Sequence, residues 1–447
     1  MKLPDEPPSF TELMRDAALR APQRVIEIFD LARPVDPKGR YLHWDEMKRR
    51  NPPGGLSHSE WWLATTFARN SVRRELPLLR AVDGRPFSFS NVDLVQELVH
   101  RIDQQASGQI LADDTVTSLR GSNRYLVSSL VEEAITSSQL EGASTTREVA
   151  KELLATGRAP RDKSELMIVN NYQAMQYAQE LAGQPISPDE ILTLHRIVTA
   201  GTLDDPAHAG RFQTANDERI AVYWTDGTLL HRPPRADELP ARIQALCAFA
   251  NGQDSDGFTH PVVRAIIVHF ALAYDHPFED GNGRTSRVLF YWAMLNGGYW
   301  LAQYLTISAI LKRAPSKYVT SFLYTESDSN DVTYFVISQL QFILRAIESL
   351  HQYLARKIAE TREIEALIHG SSQLNHRQLS VVGEALREPT EPFTIRAQAR
   401  VHRVTYESAR SDLLGLERLG LFVRTKVGKK YVFRPQPDLA QRLHGLE

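Results

Sequence analysis

Apolar positions recur every third or fourth residue along most of this chain, as in FTELMRDAAL, DLVQELVHRI, SSLVEEAITSSQL, REVAKELL, ELMIVNNYQAMQYAQEL, ILTLHRIV and FVISQLQFILRAIESLHQYLARKIAE. That spacing gathers the apolar side chains onto one face of a helix, so the pattern predicts a mainly α protein. A period of two appears in RIAVYW and LLHRPP, on either side of Thr225-Asp226-Gly227, and again in LFVRTKVGKKYVF around Gly428. These segments predict two β-hairpins in different domains. The polar stretch HGSSQLNHRQ is the expected linker between a long helical body and a C-terminal module. The expected organisation is an N-terminal helical region over 1–110, a central domain over 111–368 and a C-terminal domain over 371–447.

Composition narrows the class. A chain of 447 residues with 42% hydrophobic and 24% charged content has the makings of several soluble domains. No uninterrupted apolar run approaches the roughly 18 residues of a membrane span, and MKLPDEPPSF lacks a signal-peptide core, so a cytoplasmic protein with no membrane partner is expected. The single cysteine, Cys247, excludes an intramolecular disulfide framework and a cysteine-rich metal site; in PARIQALCAFA it reads as a small core residue. The net charge of −2 is unevenly spread: residues 371–447 carry about +5 and the remainder about −7.

The segment HPFEDGNGRTSR, 276–287, interrupts two apolar helical runs. HPVVRAIIVHFALAYD before it has proline at a first helical position, and RTSRVLFYWAMLNGG after it ends at Asn296-Gly297-Gly298, suited to a left-handed C-cap. Between them, Gly281-Asn282-Gly283 permits positive φ, so that successive backbone N–H groups form a nest for an anion at the start of the second helix. Arg284 and Arg287, at i and i+3, project toward the same anion. Asp280 is the metal candidate, since phosphate-bound Mg²⁺ takes one or two protein carboxylates. His276, with an ordinary pKa of about 6.5, suits a general base, and the chemistry expected is attack by a hydroxyl on a phosphate. Phe278 is expected to anchor the loop in the core, and His269 to be a packed core residue.

A second stretch, SSLVEEAITSSQLEGASTTRE, predicts a helix running to Glu141 and stopping at Gly142, with Thr145 and Glu148 as the capping box of the next. Glu141 then faces the negative end of its own helix dipole and gains from a cation, and Ser137, at i−4, is placed to orient the carboxylate.

The run His276-Pro-Phe-Glu-Asp280-Gly-Asn-Gly-Arg284-Thr-Ser-Arg287 resembles the HxFx(D/E)GNGRxxR signature of Fic-domain proteins. The resemblance extends through GRFQ (210–213), HRPPRADELPARI (231–243) and SKYVTSFL (316–323), covering roughly 120–360. It implies a Fic-type helical bundle with a β-hairpin flap, and a protein adenylyltransferase that moves AMP from ATP, with Mg²⁺, onto a Ser, Thr or Tyr hydroxyl of a target protein or of itself. By the resemblance His276 deprotonates the target, Asp280 holds Mg²⁺, Gly281, Asn282 and Gly283 bind phosphates, Arg284 and Arg287 grip the β and γ groups, and Tyr318 belongs to the nucleotide pocket. Ser137-xxx-Glu141-Gly142 is similar to the family's (S/T)xxxE(G/N) inhibitory motif, which implies a Glu141–Arg287 pair and autoinhibition by a helix on the N-terminal side. The hairpin RIAVYWTDGTLLHRPP falls where the family has a flap that pairs with a target strand. Tyr223 and Trp224 read equally well as packing residues.

The C-terminal order of helix, helix, helix, hairpin looks like a winged helix-turn-helix domain. In RVHRVTYESARSDLLGLERLGLFV a turn precedes a helix with Ala409, Leu413, Leu416 and Leu419 inward and Tyr406, Ser408 and Arg410 outward; Lys426, Lys429 and Lys430 sit at the hairpin tip. Such a module presents a helix to a DNA major groove and a basic tip to phosphates, or serves protein docking or a homodimer. Two alternatives to transfer stay open: a DNA-binding regulator whose Fic domain senses a nucleotide, and an enzyme that removes AMP. The N-terminal region concentrates Trp44, Trp61 and Trp62, three of six tryptophans, beside proline and glycine, as a packing segment.

Overall fold

The computed structural model describes residues 2–106, 119–254, 257–370, 373–387, 392–427 and 430–444. The protein is mainly helical, and divides into two compact units, Met1–Leu350 and His351–Glu447.

In the first unit the helices Phe10–Arg20, Pro22–Asp30 and His58–Val72 close over Ile28, Leu42, Met47, Trp61 and Trp62, so two of the three N-terminal tryptophans are core. Ser57 and Glu60 form a reciprocal capping box at the start of His58–Val72. The expectation of a purely helical N-terminal region needs correction. Arg73–Arg80 and Pro86–Ser90 pair as an antiparallel hairpin through a turn at Asp83-Gly84, where Gly84 takes φ 79°. Its alternating apolar positions bury Leu76, Phe87 and Phe89, a period of two that the helical reading passed over. Ser88 continues onto the segment before the helix Thr333–Gly370, exchanging backbone bonds with Asn330 and Val332. Asp331, fully buried, accepts from Tyr41 Oη at 2.5 Å and from Arg73 at 3.3 Å.

Two helices, Pro261–Asp275 and Asn282–Asn296, run through the middle of this unit, buried along nearly their whole length. Helices Lys163–Glu180, Pro188–Thr199 and Leu239–Ala250 surround them. The six-residue connection between the central pair is the segment that the glycine and proline pattern singled out. Cys247 lies buried in Leu239–Ala250 with its thiol pushed up to about 12 by burial, as suits a packing residue.

The second unit has its own core of Val381, Val382, Leu413, Leu416, Leu421, Phe422 and Phe433. Its order is helices His376–Arg387, Ile395–His402 and Tyr406–Arg418, then the antiparallel strands Phe422–Val427 and Lys430–Pro435, then helix Leu439–His444. Ala409, Leu413 and Leu416 face inward and Tyr406 and Arg410 outward. Ser408 is partly exposed, with its hydroxyl and N–H both engaging the Thr405 cap. Gly428 and Lys429 lie outside the described residues. None of the described helices is long and apolar enough to cross a membrane.

Candidate active site

Helix Pro261–Asp275 stops because His276 adopts a left-handed conformation, φ 47° and ψ 53°, with its N–H still bonded to Leu272 O at 3.0 Å. A non-glycine residue held there stores roughly 1–3 kcal/mol of strain, which the surroundings must offset. Burial lowers the imidazole pKa to about 4, so the ring is neutral at pH 7. Nδ1 lies 3.4 Å from Ala273 O, an arrangement that keeps the proton on Nδ1 and leaves the Nε2 lone pair for a substrate.

The loop that follows is fixed from several sides. Phe278 is fully buried and stacks on His195 at 3.7 Å, nearly parallel, and on Phe212 at 5.3 Å. His195 Nδ1 accepts from Gly210 N–H at 2.9 Å, so its Nε2–H donates to Asp280 O at 2.9 Å. Burial pulls its pKa down to about 4, which keeps that tautomer neutral. Gly281 is left-handed at φ 83°, and a Cβ there would come within 2.7 Å of Thr199 Cγ2.

Within Gly281-Asn282-Gly283 positive φ is confined to Gly281; Asn282 and Gly283 are already helical, so the nest is one left-handed residue followed by the free N–H groups of a helix N-terminus. The Asn282 side chain is used within the loop, accepting from Phe278 N–H at 2.9 Å and donating to Phe278 O at 2.8 Å, which leaves its backbone N–H for a phosphate. Asp280 is half exposed; Oδ1 accepts from Gly281 N–H at 2.5 Å and Oδ2 from Arg284 at 3.3 Å. Arg284 is fully buried and also donates to Val198 O at 3.1 Å, while its Nε has no hydrogen-bond partner among the described residues.

Arg287 meets the second predicted segment. Its Nη2 donates to Glu141 Oε1 at 2.8 Å and to Ser137 O at 3.0 Å, and its Nε to Ser137 Oγ at 2.9 Å. Ser137 therefore orients the guanidinium rather than the carboxylate. The reason is local: the helix ends at Leu140, Glu141 turns away from it, and the i−4 relation lapses, with Gly142 at φ 93°. The next cap also shifts by one residue, since Thr146, not Thr145, accepts from Val149 N–H and starts Arg147–Thr156. Glu141 comes to rest against Gly283, where any Cβ would collide with its carboxylate.

A cavity of about 200 Å³ joins these groups, lined by Glu141, His276, Gly283, Arg287, Tyr318 and the flap residue Val222, among others. Tyr318 Oη contacts His269 Nε2 at 3.0 Å. His269 is a buried core residue with its pKa held down near 3 by burial. The flap hairpin pairs over Val222–Tyr223 and Leu229–His231, shorter than the alternation suggested, and Tyr223 stays exposed. The residues that sequence reasoning missed are supports: His195, Gln213 and Arg219. Only GRFQ carried a signal for any of them, and it pointed to the family rather than to the contact.

Residues 185–294 match the Fic/DOC family. Over that span the chain resembles a Fic domain. It is 28% identical to a protein adenylyltransferase Fic of Nematostella vectensis over 169 residues, 36% of this chain and 37% of that protein. It is 33% identical to a protein adenylyltransferase Fic of Drosophila grimshawi over 165 residues, 36% and 32% of the two chains. The chain thus spans about a third of the length of these curated relatives. A solved Fic family protein of Desulfovibrio desulfuricans G20 shares the fold, with a TM-score of 0.53 at 17% identity over 78% of this chain and 97% of that one. His276, Asp280 and Arg287 fall inside the matched Fic span; Ser137, Glu141 and Tyr318 lie outside it.

Proposed function

We propose that the Fic domain transfers AMP from ATP to a side-chain hydroxyl of a protein, and that Glu141 holds it inhibited. The Ser, Thr or Tyr hydroxyl gives its proton to His276 Nε2 as its oxygen bonds to the α-phosphorus; the bond to the bridging oxygen of the β-phosphate breaks, and pyrophosphate leaves. Backbone N–H groups of Asn282 and Gly283 receive phosphate oxygens at the positive end of a helix dipole, with the Gly281 N–H held by Asp280; Arg284 and Arg287 balance the β and γ charge, and Tyr318 lines the nucleotide pocket. Asp280 suits Mg²⁺, because its half-exposed carboxylate stands beside the phosphate-binding turn and this ion needs only one or two protein carboxylates. When bound there the ion neutralises phosphate charge. A target segment pairs main chain to main chain along the flap, with its hydroxyl toward His276.

The observation that carries the reading is the Glu141 carboxylate, 2.8 Å from Arg287 and against Gly283 in the cavity that His276 lines: an internal anion occupies the place suited to a phosphate. The test is transfer of α-labelled ATP, in Mg²⁺ and with a cell lysate as target, by the wild type, Glu141→Gly, and Glu141→Gly with His276→Ala. Label confined mainly to Glu141→Gly supports the proposal. Its absence from all three overturns it.

We infer a separate role for the second unit as a winged helix-turn-helix that binds duplex DNA. The turn between Ile395–His402 and Tyr406–Arg418 has Arg403 at φ 51°, and Arg396, Arg400, Arg410, Arg424 and Lys426 are all exposed. Affinity for a duplex that falls steeply with salt supports this, and failure to shift any duplex at low salt overturns it.

A further inference from the structure

Arg219, at the root of the flap, makes one guanidinium serve three segments. Its Nη2 donates to Asp275 O at 2.7 Å and its Nη1 to His276 O at 3.0 Å, taking two of the carbonyls that the C-terminus of helix Pro261–Asp275 leaves unpaired. Its Nε donates to Pro234 O at 2.8 Å, on the far side of the flap, and Nη1 also meets Gln213 Oε1. Gln213 is itself buried, with its N–H on Pro277 O at 2.9 Å and its Nε2 on Glu218 O at 2.8 Å. The alternating pattern reads Arg219 as a strand residue; instead pairing begins at Val222, and the arginine turns its side chain back under the flap toward the helix end.

The left-handed turn at His276 needs an external hold, because nothing in the helix favours φ 47° in a non-glycine residue. The carbonyl of that strained residue and the one before it are both taken by Arg219. We propose that Arg219 is a positioning residue for His276, fixing the turn that presents the imidazole to the cavity. The same planar group ties the two roots of the flap, so the target-binding hairpin and the general base are set by one support. Arg219 touches none of the reacting atoms. A lysine cannot replace it, since one ammonium cannot reproduce a fork of donors aimed at separate carbonyls. This assignment rests on the transferase reading for its kinetic consequence, but not for its geometry.

The test uses the full chain carrying Glu141→Gly, with Arg219→Ala, Arg219→Lys or Gln213→Ala added. Arg219→Ala is expected to lower kcat about 100-fold, the scale of a 1 Å misplacement of a catalytic group, while KM for ATP stays within about twofold. Arg219→Lys recovers a small part, and Gln213→Ala gives a weaker loss of the same kind. Guanidinium at low millimolar concentration restores transfer by Arg219→Ala and not by His276→Ala. Histidine ring NMR signals should show the His276 titration moving up in Arg219→Ala relative to its Glu141→Gly parent. The proposal is overturned if Arg219→Ala keeps kcat near that of its parent. It is overturned equally if ATP binding and transfer are lost together, with no guanidinium rescue and an unmoved His276 titration. Should the Glu141→Gly parent itself transfer no AMP, the transferase reading fails, and the titration alone decides the role of Arg219.

Discussion

The turn from His276 to Gly281 and the end of the helix that carries Glu141 meet at Arg287, yet they are held very differently. The turn is fixed by the stacked pair Phe278 and His195, by the Asn282 amide spanning it, by Gln213 on Pro277, and by Arg219 on the helix end. Glu141 reaches the same place past the end of its helix, through one carboxylate oxygen on Arg287, with its side chain still about 29% exposed. The first arrangement has several supports, each holding a different part of the turn. The second hangs on an ion pair worth on the order of 1.5–3 kcal/mol, small enough to be displaced by a nucleotide or a partner. Chemistry needs fixed atoms, and control needs a contact that lets go.

That contrast can be broken most severely at Phe278. Phe278→Ala removes a fully buried ring and its stacking on His195, and should cost roughly 3–5 kcal/mol of stability, visible as a large drop in Tm, with transfer lost in the Glu141→Gly background. The next effect is a gain. Glu141→Gln keeps the shape and removes the charge, and is expected to raise transfer roughly 10-fold without changing Tm by more than a few degrees. Ser137→Ala takes away one of the three bonds on Arg287; loosening the pair by about 1 kcal/mol should give roughly a fivefold rise in basal transfer.

The smallest effect is a slope with pH. His195, His269 and His276 all have folded pKa values below the ordinary 6.5, near 4, 3 and 4, because burial penalises their charged forms. The unfolded chain therefore binds more protons as pH falls through 6.5. The stability these groups contribute is complete above that point and is lost progressively down to about pH 4 for His195 and His276 and about pH 3 for His269. Thermal melts at pH 7.5 and 5.5 should show the loss, and His195→Phe should make it shallower. An unchanged slope in that variant would count against His195 as one of its sources.

Much of the candidate site was legible because its side chains are written within twelve consecutive residues: a histidine, a carboxylate, glycines and two arginines at helical spacing. The Glu141–Arg287 pair joins positions 146 apart, and the sequence offered it only through a known family's pattern. His195 and Arg219 were not legible at all. A histidine within ILTLHRIV and an arginine opening RIAVYW look like any polar residues in a helix and a strand, and their roles exist only once the chain has folded them under the loop. Register errors followed the same logic. Thr145 and Thr146 are equivalent as cap residues until tertiary contacts decide where the preceding helix ends, and the N-terminal hairpin was hidden by the strong helical pattern on both sides of it.

Gly283 has no Cβ, and that vacancy is what the Glu141 carboxylate fills. On the reading proposed above, a phosphate drawn to the same N–H groups must first find it empty, and the side chain is a tethered competitor whose concentration never changes. The apparent affinity for the nucleotide is then the intrinsic affinity scaled by the fraction of molecules with Glu141 withdrawn. The proposed inhibition is therefore measurable without any target: it is the ratio of nucleotide dissociation constants before and after Glu141 is removed.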